Sequence, residues 1–469
     1  MLTTSHVVTK IINLGLVVLL TRLLGREGFG VYSFSFLFTG MFMFLVNLGI
    51  NSLLVRDIAR HKAGAQRLVS TATPAVFILS LLTVVTVNSI ALLSGWTPLE
   101  KTAIFIFSFY LLFDGWSRFL ISVFRAFEKM EYEALVNLTE RIALLLSAVL
   151  AWLFHLSLIQ LIILFSGVEL LKAVFAFVLV HRKFVPIRLR FHFPQMYTLL
   201  KESFPFALMG IFGTISMRID IVMIRMFYSS DAVGVYNVAR RLVESLTFIP
   251  ENIVIAFFPA ISVLYLHNRQ KFNRTFQQAL QSMLVIAIPF SIGLFLLARP
   301  IIQFLFEPEY LAAYRPLQWF GLWLGVLFMK HIFATTLNAI GRQALFSRLA
   351  GLSMVLNAGL NYVLIPLYQI EGASLATLFS EAITALIAFW AVRKYLNLPQ
   401  WSSFYPKLAG VLMLLAGAGF FLRNSNLLLA VGLIGLIYLI LLFLFHIVTL
   451  NQITEWVNRL KPQTSELKD

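Results

Sequence analysis

Fourteen apolar runs dominate this chain, each about as long as the roughly 20 residues an α-helix needs to cross the hydrocarbon core of a bilayer. Cut at its polar breaks, the sequence gives spans at 3–21, 33–55, 72–94, 102–124, 134–154, 158–180, 203–226, 235–263, 280–298, 316–338, 345–367, 372–392, 405–422 and 427–449. Lipid offers no water to the backbone, so runs of this length predict helices that satisfy their own N–H and C=O groups. Only 12% of the 469 residues are charged and 59% are hydrophobic, whereas a soluble domain carries about 25% charged residues. The expected fold class is therefore an all-α polytopic membrane protein. The first run has no small-residue cleavage site followed by a soluble domain, and it reads as a span, not a removable signal peptide.

A net charge of +16 raises the question of nucleic acid, and the positions of the 37 Lys and Arg residues answer it. Counting cations within three residues of a span end with the adjacent loop, the loops after the even-numbered spans, with the tail, hold 22 of them, and the loops after the odd-numbered spans hold 7. That asymmetry is the positive-inside pattern. It predicts cytoplasmic termini, with the basic loops against the anionic inner leaflet, and it leaves no basic patch that calls for nucleic acid. The chain has no cysteine, which removes disulfides, thiolate metal sites and thiol catalysis. It has no Walker-type phosphate loop, no His-Glu-x-x-His run and no Gly-x-Ser-x-Gly elbow. Catalysis, a metal and a cofactor all lack sequence support.

Charged residues near the centres of spans are the exception to be explained: Asp114 and Arg118, Glu169 and Lys172, Arg218 and Asp220, Lys330 beside His331, and Glu381. Each costs about 2.5–3.5 kcal/mol on insertion scales, so eight facing lipid would cost roughly 20–28 kcal/mol. Asp114 and Arg118 lie four apart and Glu169 and Lys172 three apart, spacings at which a helix pairs its own charges. On a continuous helix Arg218 and Asp220 diverge by about 200°, so Arg218 is expected on a wet cavity and Asp220 against a neighbouring helix. Arg225 is expected to snorkel at the external end. In VARRLVES, one of Arg240 and Arg241 is expected to pair with Glu244 and the other to stay free. Lys330 has no acidic neighbour within its own span. A cavity holding Arg218 and Lys330, with Arg118, Lys172, Arg240 and Arg241 as further members, suits an anionic head group, since Arg forks match phosphate oxygens. Asp114, Glu169, Asp220 and Glu381 are candidates for ion coupling or helix pairing. Asn338, Asn357 and Asn361 suit sugar hydroxyls or, equally, interhelical bridges.

The hydrophilic segment 181–203 divides the chain near its middle, and beyond it the sequence partly repeats. REGFGVY (26–32) follows the first span and SDAVGVY (230–236) the seventh, 204 residues later. Both are expected to be short external turns with Gly at positive φ. FRAFEK (124–129) and LNAIGR (337–342) form a second, looser pair. The repeat predicts a six-helix lobe over 1–181, a cytoplasmic linker over 182–202, a second six-helix lobe over 203–395, an extra helix pair over 396–450 and a cytoplasmic tail over 451–469. Such lobes are expected in pseudo-twofold arrangement around a central cavity.

TRLLGREGFGVYSFS, VFRAFEKMEYEA, ARPIIQFLFEPEYLAAYRPLQ and, above all, the block from Asn338 to Glu381 resemble the polysaccharide transporter family, whose members include O-antigen-type flippases. It lies within the superfamily of multidrug, oligosaccharidyl-lipid and polysaccharide exporters. The resemblance implies alternating access by two lobes. It also implies a polyprenyl-diphosphate-linked oligosaccharide as substrate, with membrane lipids, a polysaccharide polymerase and glycosyltransferases as partners. An acidic residue at the position of Asp220 is common in the family's seventh helix, which favours a structural role for it. Rival readings are an ion-coupled exporter of organic cations, against which the surplus of central positive charge argues, and a peptidoglycan-precursor flippase. A membrane polymerase or ligase is a weaker rival, because the expected external loops are short.

Overall fold

The computed structural model describes residues 2–188, 191–216, 218–396, 404–422 and 425–447; the expected tail at 451–469 lies outside them. The described elements are the helices α1 (Leu2–Gly40), α2 (Met43–Asn47), α3 (Ile50–Arg60), α4 (Ala65–Leu93), α5 (Pro98–Ala126), α6 (Met130–Leu153), α7 (Leu158–Lys183), α8 (Phe193–Ser216), α9 (Ile219–Phe227), α10 (Ser230–Glu244), α11 (Phe248–His267), α12 (Arg269–Leu305), α13 (Tyr314–Ala339), α14 (Gln343–Arg393), α15 (Phe404–Leu422) and α16 (Leu427–Leu444), with 3₁₀ turns at Lys62–Gly64 and Pro308–Ala313. Among these residues, 11 helical stretches are long and apolar enough to cross a membrane. The expected fourteen reconcile with that figure. Ile12–Asn47 carries the first two spans and Gln343–Arg393 the eleventh and twelfth. Each of these two stretches turns at a residue of positive φ, Gly25 (φ 64°) and Gln369 (φ 54°). The expected seventh span is divided between α8 and α9.

The chain forms two compact units, one covering Val7–Asn237 and the other Val238–Asp469 with Met1–His6. In the first unit, sequence-local capping sets the helix starts. Thr97 accepts from Glu100 N–H while the Glu100 carboxylate accepts from Thr97 N–H, with Pro98 in the first turn, and Ser157 with Gln160 does the same for α7. These boxes satisfy orphan donors at two of the short interhelical connections. α5 then packs against α4 and α7 through buried residues that include Phe119, Val123 and Phe124, with Val136 of α6 and Ala176 and Val180 of α7 in the same core. α8 packs on α2, α3 and α4 within this unit.

The two Gly-Val-Tyr segments are not turns. The turn after the first span falls at Gly25, and Gly30 and Gly234 both sit inside helices. What requires glycine there is proximity. A Cβ on Gly30 would lie 2.2 Å from the Ser230 carbonyl oxygen, and one on Gly234 would lie 2.9 Å from the Gly30 Cα. Equivalent residues of the repeat therefore pack on each other, and Asn237 donates to the hydroxyl of Ser33, its counterpart 204 residues earlier, at 2.9 Å. Arg26 pairs with Asp231 at 2.6 Å beside the same contact.

The repeat also breaks at matched places. α1 stops at Gly40, and the second span continues only as the short α2 and then α3, across Leu48 (φ 38°) and Gly49 (φ 79°). α10 stops at Glu244, again 204 residues on, and α11 starts at Phe248. In the second unit α13 packs along α12 and α14. α15 and α16 close on α12 through Leu408, Val411, Leu415, Ile434 and Tyr438, whose hydroxyl donates to the Val285 carbonyl at 2.5 Å.

Gly30→Ala and Gly234→Ala are expected to destabilise the protein by about 1–3 kcal/mol each, the usual cost of overpacking. Gly167→Ala, at a helical site with nothing within 4 Å of an added Cβ, is expected to be neutral or slightly stabilising; thermal unfolding in detergent compares the three.

Candidate functional site

The deepest polar feature of the first unit is an ion cluster on α5, α6 and α7. The Lys172 ammonium lies 2.8 Å from Glu169, 3.1 Å from Glu140 and 3.4 Å from Asp114. Its three donors thus meet three carboxylates. Asp114 spends its other oxygen on Arg118, at 2.9 Å, and Glu140 faces Arg141 at 3.7 Å. Ser117 donates to Glu169 at 3.3 Å. The pairs expected from spacing, Asp114 with Arg118 and Glu169 with Lys172, are both present, and Lys172 joins them. Glu140 is the member that spacing missed. It sits ten residues into α6 beside Arg141, and that depth was the available signal.

Lys172 is enclosed by its partners, with 6% of its side chain accessible, whereas Arg118 keeps 58%. Arg118 lies 13 and 9 residues beyond the exposed Phe105 and Phe109, which places it about 220° and 180° around the helix from them. The face of α5 that presents aromatic rings is not the one that presents the guanidinium.

Arg218 departs from the expected geometry. α8 ends at Ser216 and α9 starts at Ile219, so Arg218 caps α9 with φ −136° and ψ −6°. The 200° separation from Asp220 assumed an unbroken helix and does not apply. Arg218 reaches the end of α1, where it donates to the Leu37 carbonyl at 3.3 Å. It occupies the space a side chain on Gly40 would need, 1.7 Å from the ideal Cβ position. Asp220 does meet a neighbouring helix: it accepts from the hydroxyl of Tyr236, the tyrosine of the second repeat segment, at 2.5 Å.

Arg225 does not snorkel. Its guanidinium forks onto Glu100 at 2.5 and 2.8 Å, and Ser230 donates to the same carboxylate. Glu100 is 1% exposed, so a capping residue of α5 is also half of a buried bidentate pair. The signal was the Thr-Pro-x-Glu spacing, which fixes Glu100 at a helix start but says nothing of a partner 125 residues away.

The second unit holds the remaining candidates. Lys330 finds its acid on another helix, 2.6 Å from Glu381, whose other oxygen accepts from Ser353 at 2.6 Å. Neither Arg240 nor Arg241 stands apart from Glu244, at 2.7 and 3.7 Å. Asn361 donates to Asn357 at 2.9 Å, and Asn357 points across to Thr377 and Ser380 at 3.4 and 3.3 Å. These amides tie the two halves of α14 together. Asn338 lies half-buried near the end of α13. Among the described residues no group of three or more His, Cys, Asp or Glu is arranged to hold a metal ion.

Lys172→Met would leave three buried carboxylates short of a cation. It is expected to cost about 3–5 kcal/mol, the range for removing one partner of a buried pair. Adding Glu169→Gln is expected to recover part of that loss in a double-mutant cycle read by thermal unfolding.

Comparison with known proteins agrees with this architecture. The family model described as polysaccharide biosynthesis protein matches residues 1–265, and the MatE model matches 205–363. Three archaeal relatives align at 26–28% identity. "Uncharacterized membrane protein MJ1068" of Methanocaldococcus jannaschii is 26% identical over 41% of this chain and 38% of its own. From Haloferax volcanii, "Probable low-salt glycan biosynthesis flippase Agl15" is 26% identical over 36% of each chain, and "Probable flippase AglR" is 28% identical over 38% of each. The alignments thus span well under half the length of these relatives. Among solved structures, the lipid II flippase MurJ in an inward closed conformation superposes with a TM-score of 0.80 at 18% identity, covering 95% of this chain and 98% of that one. An inward-facing multidrug resistance MATE family transporter gives 0.67 at 16% identity, covering 82% and 94%. A transporter fold in which 11 helical stretches are able to span a membrane and a family model matched over residues 1–265 of 469 together place the chain: it belongs to the polysaccharide biosynthesis protein family, within the multidrug, oligosaccharidyl-lipid and polysaccharide exporter superfamily.

Proposed function

We propose that this flippase-like transporter moves a polyprenyl-diphosphate-linked oligosaccharide across the cytoplasmic membrane by alternating access, with both termini in the cytoplasm. Polymerase and glycosyltransferases of cell-surface glycan synthesis are its partners in this reading. The observation that carries it is Arg118. Its side chain is 58% accessible, eight residues inside the end of α5 at Ala126, and so about 12 Å deep along the helix. A charge exposed at that depth is tolerated facing a water-filled path, not hydrocarbon. A guanidinium fork there suits diphosphate oxygens. Arg218 adds a second guanidinium at the end of α1, at the first of the two breaks that the repeat carries at matched positions. Interrupted helices at corresponding positions of two repeats are the usual pointer to a transport site. Two relatives point the same way, Agl15 as a probable flippase of low-salt glycan biosynthesis and AglR as a probable flippase. The lipid stays in the bilayer while the charged head crosses.

The test is translocation in liposomes carrying a fluorescent polyprenyl-diphosphate oligosaccharide, read as the head group becoming accessible on the far side. Wild type is expected to accelerate it, and Arg118→Ala and Arg218→Ala to slow it by about 10–100-fold each, the worth of a hydrogen bond to a charged group. Equal rates in all three proteins would remove the arginines from the site. Efflux of an organic cation with no lipid movement would favour a multidrug exporter, and transport confined to a peptidoglycan precursor would assign that substrate instead. Because the chain is cysteine-free, orientation is testable with Gly64→Cys and Gly95→Cys, both at positions with open space around an added Cβ. An impermeant maleimide applied outside intact cells is expected to label position 95 and spare position 64.

A further inference from the structure

We propose that the cluster on α5, α6 and α7 couples anion binding at Arg118 to the uptake of one proton by Glu169. The inference rests on the reading of Arg118 as a head-group ligand and extends it to how the charge of the bound head group is balanced.

The argument is one of shared charge. A single buried ammonium, Lys172, serves Asp114, Glu140 and Glu169, and the balance comes from Arg118 on Asp114 at 2.9 Å and Arg141 on Glu140 at 3.7 Å. Glu169 is the least compensated of the three. It is fully buried, its Oε1 is held by Lys172 and Ser117, and its Oε2 has no hydrogen-bond partner. The groups facing it are Tyr110, Asp114, Ser117 and Arg118 from α5, Glu140 from α6, which Arg141 faces in turn, and Lys172 from its own helix. Unpartnered buried oxygens of this kind call for a ligand.

A diphosphate that engages the Arg118 fork through Nε competes with Asp114 for that N–H. Once that charge is turned outward, Lys172 shifts its donors toward Asp114, and Glu169 is left buried with less than its share of positive charge. In a low-dielectric interior the carboxylate relieves this by binding a proton. The step balances: Glu169 changes from carboxylate to carboxylic acid, one proton is taken from water, and one negative charge disappears as one arrives on Arg118. Release of the proton reverses the sequence. Asp114 recovers Arg118, and the head group is let go. Linkage fixes the sign: anion binding that takes up a proton is tighter at low pH and weakens as pH rises.

The experiment is titration calorimetry of farnesyl diphosphate binding to the full-length protein in detergent, between pH 6 and 8, in buffers of different ionisation enthalpy. Wild type is expected to take up about one proton more per bound ligand than Glu169→Gln, and the same ligand in both proteins cancels its own titration. Its affinity is expected to fall by up to about tenfold per pH unit relative to that variant. Asp114→Asn is expected to bind more tightly than wild type, because Arg118 is no longer contested, and to show no extra proton; a merely structural Asp114 predicts weaker binding. Should Glu169→Gln fail to fold, Asp114→Asn carries the same comparison. Equal proton uptake in wild type and the variants would overturn the coupling and leave the head-group site standing. Absence of diphosphate binding in wild type would overturn both.

Discussion

A lysine held inside a membrane-spanning unit sets the terms for the helices around it. Lys172 brings three carboxylates from three helices to within 3.4 Å, because each charge is intolerable in hydrocarbon alone and the ammonium has three donors to distribute. Once that is required, the rotations of α5, α6 and α7 about their axes are fixed, and with them the direction of Arg118. The apolar core of the unit, with Phe124, Val136 and Val180, fills the space these rotations leave. Packing supplies most of the burial, and the ion cluster decides which faces are buried.

A second constraint acts at the contact between the repeated segments. Gly30 and Gly234 bring helix backbones into van der Waals contact, and Ser33 and Asn237 bond across it. Duplicated sequence thus becomes self-complementary structure, in which the same spacing serves both sides of one interface. The repeat also carries its discontinuities in register, at Gly40 and Glu244, and Arg218 lodges at the first of them. The Leu37 carbonyl there accepts from Met41 N–H at 3.1 Å and gives its second lone pair to the guanidinium at 3.3 Å.

The fold is shared with transporters of different cargo at 16–18% identity, so it decides no substrate by itself. Within this chain the cations differ in their settings: Lys172 and Lys330 are closed into ion pairs with acids, while Arg118 is paired on one edge and keeps an accessible side chain. An accessible arginine tethered to a buried carboxylate is a group that an anion is able to borrow.

Much of this was legible in the residues. Apolar length marked the spans, since crossing hydrocarbon is a demand on composition alone. Helical spacing paired Asp114 with Arg118 and Glu169 with Lys172, because a helix fixes what lies three or four residues away. The recurrence of Gly-Val-Tyr marked the repeat. Partners on other helices were not legible: Glu140 for Lys172, Glu100 for Arg225, Glu381 for Lys330 and Tyr236 for Asp220 depend on which helix faces lie together. Glycine misled for a related reason, since the letter at Gly30 and Gly234 is the same whether it permits a turn or a close approach. Arg218 was placed on a helix that breaks beside it. The sequence by itself determined the number and apolarity of the segments and the pairs within each, all properties of one local period; only the tertiary structure decided which charges meet between helices, because a helix can rotate about its axis without altering any of its own hydrogen bonds.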